Sequence, residues 1–149
     1  GLLLPSGDVD THRMRKLVEL ASPMQVTMHR AFDRSRDAVQ ALEDCISCGC
    51  RRILSSGHHP SVADGLDEIK TLVELATGRI IIMPGSGLNS RNVAHIATES
   101  KASEFHTAAR TAICHDAHFS PSTMKETLQY TGVNADEVMA IRRVLDELP

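Results

Sequence analysis

The constraint that most narrows the fold is a repeat of short apolar runs separated by amphipathic stretches. Apolar runs start near residues 24, 52, 79 and 102, at intervals of 28, 27 and 23. Between them lie segments whose apolar residues recur with helical spacing. Asp10 precedes Met14, Leu17, Val18 and Ala21, and Pro23 ends that helix. Asp33 or Ser35 is placed to cap a second helix carrying Val39, Leu42 and Ile46, with Gly49 as its stop. Ser61 opens a third, with Leu66, Ile69, Leu72, Val73 and Ala76 and a stop at Gly78. Asn89 or Ser90 caps a fourth with Val93, Ile96 and Ala97. Asn134 begins the last, and Glu137 three residues on gives the pattern of a capping box.

Alternating strand and helix over a whole chain means α/β architecture with a parallel sheet. The expected strands are Leu2–Leu4, Met24–Phe32, Arg52–Ser56, Arg79–Met83 and Ala102–His106, all parallel and adjacent in chain order. The stretch from Thr111 to Gly132 reads as polar and irregular, with one helical turn near Met124–Leu128. A near-constant period favours a barrel over a doubly wound sheet. At ~31 residues per βα unit of an eight-unit barrel, 149 residues hold about five units. The expectation is one domain, residues 1–149, shaped as an incomplete barrel of about five parallel βα units.

Net charge is −3, and the aromatics are Phe32, Phe105, Phe119 and Tyr130. An acidic chain with few stacking platforms is a poor nucleic-acid partner. No apolar run approaches the ~18 residues of a membrane span. Four unevenly spaced cysteines do not form a secreted disulfide pattern, and the expected setting is cytoplasmic.

Strand alternation places candidate chemistry. Val26 and Met28 alternate with Thr27 and His29, and Phe105 alternates with Glu104 and His106. If the apolar set packs under helices, His29, Glu104 and His106 face away from them, toward the barrel interior. They are the candidate catalytic group, with His29 or His106 as acid–base residue. Arg30 and Arg110 follow these strands, with Asp33 close behind, and suit a carboxylate or phosphate. Gly85, Ser86 and Gly87 form a tight loop whose amides could approach an anion. Cys45 and Cys48 fall in the last turn of a helix, where the dipole disfavours a thiolate, so with Cys50 they read as core. Cys114, His115, Asp116 and His118 form a polar loop with metal-type side chains but no matched second half.

Five segments carry a resemblance. The opening GLLLPSGDVD, VTMHRAFD (26–33), RILSSG (52–57), GRIIIMPGSGL (78–88) and EFHTAAR (104–110) resemble the CutC copper-homeostasis family. The resemblance runs in order from Gly1 to about Arg110. It implies a TIM-type barrel, of which this chain would supply the end of strand four through unit eight. It implies copper as the ion handled and copper homeostasis as the role; the open edges of an incomplete barrel separately predict homo-oligomers. Three positions depart from the family pattern: Met28 stands for Phe, Ser55 for Thr, and Ser86 for Gly. The rival reading, from the residues alone, is a barrel enzyme acting on a small anionic metabolite. A structural scaffold without chemistry is the third.

Overall fold

The computed structural model describes residues 1–114, 121, 123 and 129–148. Its centre is a parallel sheet of β1 (Thr27–Met28), β2 (Arg52–Ser55) and β3 (Ile81–Pro84), in that order. Thr27 lies opposite Arg52, and Ile53 opposite Ile82. Helix α1 (Thr11–Ala21) precedes the sheet, α2 (Ala38–Ser47) and α3 (Leu66–Ala76) connect its strands, and α4 (Val93–Ser100) follows β3.

Period-two alternation decides which face the helices cover. Met28, Ile53 and Ile82 are buried, while Thr27, Arg52 and Ile81 beside them are only partly so. The buried set meets Leu42 and Cys45 of α2, Ile69 and Leu72 of α3, and Val93 and Ile96 of α4 in one core. Taking a side chain such as Ile53 out of water contributes about 2 kcal/mol. The other face of the sheet therefore carries Thr27, Arg52, Leu54, Ile81 and Met83.

Helix starts follow capping chemistry. Asp10 accepts from the Arg13 amide at 3.0 Å, as expected. The second helix is capped by Asp37, which accepts from the Gln40 amide at 2.9 Å, and not by Asp33 or Ser35. The third begins at Leu66, later than Ser61, whose hydroxyl bonds to Asp64 instead. Between β2 and α3 the chain folds back so that Gly57 and Gly65 meet backbone to backbone. A Cβ on either would collide with main-chain atoms of the other turn.

Three parts of the expected strand order are corrected. Among the described residues the hydrogen-bonded parallel sheet has three strands, not five. Leu2–Leu4 contributes a single antiparallel bridge between Leu3 and Val9. Residues 102–106 run beside β3 without forming a ladder, tied by the His106 amide donating to the Pro84 carbonyl at 2.9 Å. The segment read as irregular contains an antiparallel pair, β4 (Arg110–Cys114) with β5 (Gln129–Val133), Arg110 opposite Val133. Helix α5 (Ala135–Asp146) follows, with Asn134 as its N-cap and Ile141 buried. The expected turn near Met124–Leu128 lies outside the described residues, as do His115, Asp116 and His118 of the expected cluster; Cys114 is described only as the last residue of β4. No described helix is long and apolar enough to cross a membrane.

Candidate functional site at the carboxyl ends of the strands

Each parallel strand delivers its following loop to the same end of the sheet. After β1 the chain passes His29 and Arg30 into a 3-10 turn, Phe32–Arg34. Phe32 is fully buried and fixes that turn, so the neighbouring Asp33 is aimed at the loop after β2. Gly85 follows β3, and its amide donates to the Ser55 carbonyl at 2.9 Å. A Cβ at Gly85 would lie 2.6 Å from Leu54 Cδ1 and 3.2 Å from His106 Cβ, so glycine lets these segments close together.

Asp33 is the hub. One oxygen accepts from the Ser55 hydroxyl at 2.6 Å, and the other from Arg30 Nε at 2.7 Å and the Ser56 hydroxyl at 3.0 Å. The Ser56 amide donates to it at 3.1 Å and the His58 amide at 3.3 Å. Burial alone would raise this carboxyl. The Ser55 hydroxyl, the Arg30 guanidinium and the two amides outweigh burial and hold it below the usual carboxylate range. Asp33 is thus a fixed anion whose lone pairs are committed to the protein.

Arg30 is held by the same knot. Its Nη1 donates to the Ser86 hydroxyl at 2.8 Å, and its Nη2 to the Ser56 hydroxyl at 2.6 Å and the His59 carbonyl at 3.1 Å. With the Asp33 bond, these use four of the five N–H donors a guanidinium owns. Arg30 is mainly a strut, with one N–H left to offer. Ser86 sits at φ +76°, a region that favours glycine, and its hydroxyl donates to the Pro60 carbonyl at 2.9 Å. Its side chain offsets the backbone strain by joining the knot.

Beside the knot opens a cleft of about 820 Å³. Arg30, Ser86, Gly87, His106 and Arg110 line it, together with Arg91, Asn134 and Glu137. The capping-box expectation is half met. Asn134 accepts from the Glu137 amide at 3.1 Å, but the Glu137 carboxylate reaches across to Ser90. It accepts from the Ser90 amide at 2.7 Å and hydroxyl at 2.9 Å, which hold it below its ordinary range. The Glu137 link therefore docks α5 on the loop that leads into α4.

The other expected residues have their own places. Among the described residues, His29 and Glu104 do not line the cleft. His29 is exposed, and its Nδ1 accepts from the Ala31 amide at 3.0 Å. Glu104 makes a two-pronged ion pair with Arg52, to Nε and, at 3.1 Å, to Nη2; Arg52 Nη1 also donates to Gln25 at 2.6 Å. Arg52 opens β2, so this pair lies toward the amino end of the sheet. Ser55, Ser56, Arg91 and Glu137 were not among the residues expected to form a site. The i, i+3 relation of Asn134 and Glu137 was the one local signal, and it pointed to a cap.

Cys45, Cys48 and Cys50 are free and buried, as expected of core residues. The neighbouring Cys50 thiol and burial raise Cys45, its neighbour Cys45 lowers Cys50, and burial raises Cys48. Among the described residues no group of three or more His, Cys, Asp or Glu side chains is placed to hold a metal ion.

The sequence profile of the CutC family matches residues 1–111. A CutC family protein of Parabacteroides distasonis is 49% identical over 113 residues, covering 76% of this chain and 46% of the relative. One of Xylella fastidiosa strain Temecula1 is 38% identical over 150 residues, covering 99% of this chain and 55% of the relative. The crystal structure of a CutC protein from Streptococcus agalactiae, named there provisionally for copper homeostasis, superposes with a TM-score of 0.67 at 28% identity. That match covers 71% of this chain and 52% of the other. The chain spans about half the length of the relatives it matches.

Proposed function

The chain belongs to the CutC family, and from that premise we propose that it serves copper homeostasis, with copper as the ion handled. The observation that carries this is the family match over residues 1–111, joined to the name given to the Streptococcus agalactiae relative. Soft sulfur donors suit Cu(I), and the described chain has three buried ones. Their chemistry does not fit a resident copper centre at the end of α2. Cys45 and Cys48 are both shifted toward the protonated thiol and Cys50 alone away from it, and a thiolate is the form that binds metal. Copper is therefore cargo in this reading, and no step is routed through a bound ion.

The architecture we propose is a partial TIM-type barrel, supported by the parallel three-stranded sheet and the superposition on the CutC crystal structure. Reduced cysteines are consistent with a cytoplasmic setting. The open flank of β1, which pairs only with β2 among the described residues, supports self-association as homo-oligomers. Sedimentation at low concentration reads that directly; a strict monomer contradicts it.

The test of function is cellular. In a bacterium whose own CutC is deleted, expression of this chain should return total cell copper, measured by mass spectrometry, toward the wild-type level. Unchanged cell copper and unchanged copper tolerance would overturn the reading. In vitro, a Cys45→Ser, Cys48→Ser variant should titrate with Cu(I) as the parent does. Loss of stoichiometric binding in that variant would show that the helix end is a copper site after all.

A further inference from the structure

The cleft at the strand ends has a charge that copper handling does not explain. The chain as a whole carries −3, yet among the described residues the cleft is lined by Arg30, Arg91 and Arg110 against one carboxylate, Glu137. Two of these charges are already committed. Arg30 is paired with Asp33 at 2.7 Å, and Glu137 is spent on the Ser90 amide and hydroxyl. Among the described residues, Arg91 and Arg110 have no ion-pair partner within 4 Å.

We propose that this cleft binds the phosphate group of a small phosphorylated metabolite, with Arg91 and Arg110 as its charge partners and the remaining N–H of Arg30 as a fixed third contact. Guanidinium groups match phosphate oxygens in geometry and charge, and two of them balance a dianion. Arg30 is locked by four bonds and needs no ordering on binding, which lowers the entropic cost. His106, held beside Gly85 by its amide bond to Pro84, adds a ring nitrogen at the same wall. About 820 Å³ leaves room for a small organic moiety beyond the phosphate. The Ser90 amide is not a phosphate contact, because Glu137 occupies it. This proposal concerns an anion site and stands independently of the copper reading.

Calorimetric titration of the 149-residue chain at low ionic strength tests it, with inorganic phosphate, glycerol 3-phosphate and acetate as probes. Both phosphates should bind saturably at one site, and acetate at least about tenfold more weakly. Arg110→Ala and Arg91→Ala should each weaken phosphate binding by about tenfold or more. Arg142→Ala, which alters a surface pair with Asp146, should leave it unchanged. Glu137→Gln removes the opposing charge and should tighten binding by about threefold. This second variant reads the site through a gain, so a folding defect in an arginine variant cannot mimic it. Absence of saturable phosphate binding, acetate binding equal to phosphate, a folded Arg110→Ala chain that binds as the parent does, or Glu137→Gln binding no tighter would each overturn the proposal.

Discussion

The two ends of the parallel sheet treat charge in opposite ways. At the amino end, Arg52 and Glu104 close on each other with Gln25 beside them. At the carboxyl end, Asp33 and Arg30 are closed just as fully, but Arg91, Arg110 and His106 line an open cleft next to them. The difference is between two uses of charge on one parallel sheet. Charges at one end neutralise each other, while a saturated knot at the other fixes the loops on which uncommitted charges stand. Positive φ at non-glycine residues occurs at both ends: His58 and Ser86 follow strands at the carboxyl end, while Thr77 and Lys101 end helices α3 and α4.

The largest expected effect separates the two ends by stability. Asp33 is only 5% exposed, and its removal leaves Arg30, Ser55 and the Ser56 amide without their acceptor. Asp33→Ala should cost about 3 kcal/mol in urea unfolding. Glu104→Ala, at a pair whose side chains keep 25% and 34% exposure against 5% for Asp33, should shift the midpoint distinctly less. If Glu104→Ala costs as much as Asp33→Ala, the distinction between a buried knot and a solvated pair is lost.

Acid sharpens the same contrast. The folded-state pKa of Asp33 is lowered, so its contribution is fully present above the unfolded value of 3.8 and is lost as pH falls through the folded value. Unfolding between about pH 4 and pH 2 should show this loss in the parent, and Asp33→Asn should remove part of the slope. An identical acid limb in the two proteins contradicts the assignment. The smallest effect is expected at Ser86. Glycine would relieve the positive φ but delete the bonds to Arg30 and Pro60, so Ser86→Gly should change stability by less than about 1 kcal/mol. A loss well above that would mean the hydroxyl holds the knot together more than the backbone opposes it.

Much of the core was legible because it follows period. Met28, Ile53, Ile82, Ile69, Leu72 and Ile96 are buried where alternation or helical spacing puts them. Depth along the strand was not legible. Glu104 and His106 share a face by alternation, yet two residues of extended chain separate them by about 6.5 Å. That distance carries Glu104 toward Arg52 while His106 reaches the cleft. The role of Asp33 was hidden because a short acidic residue before a helix looks like a cap, and Asp37 four residues on does that work. The Glu137 contact was hidden for a related reason: its capping-box spacing is local, whereas its partner Ser90 is 47 residues away. The β4–β5 pair lacks the short Gly-containing turn that marks a hairpin in sequence, so its strands did not stand out from a polar segment.

In the reading proposed above, the carboxyl end of the sheet receives the ligand and the amino end is closed. Amide and side-chain NMR of the chain during a phosphate titration tests it most directly. The expected result is progressive shifts at residues 86–91 and 106–110, with Gln25, Arg52 and Glu104 unmoved. Shifts centred on Arg52 and Glu104, or no saturable shift at either end, would contradict it.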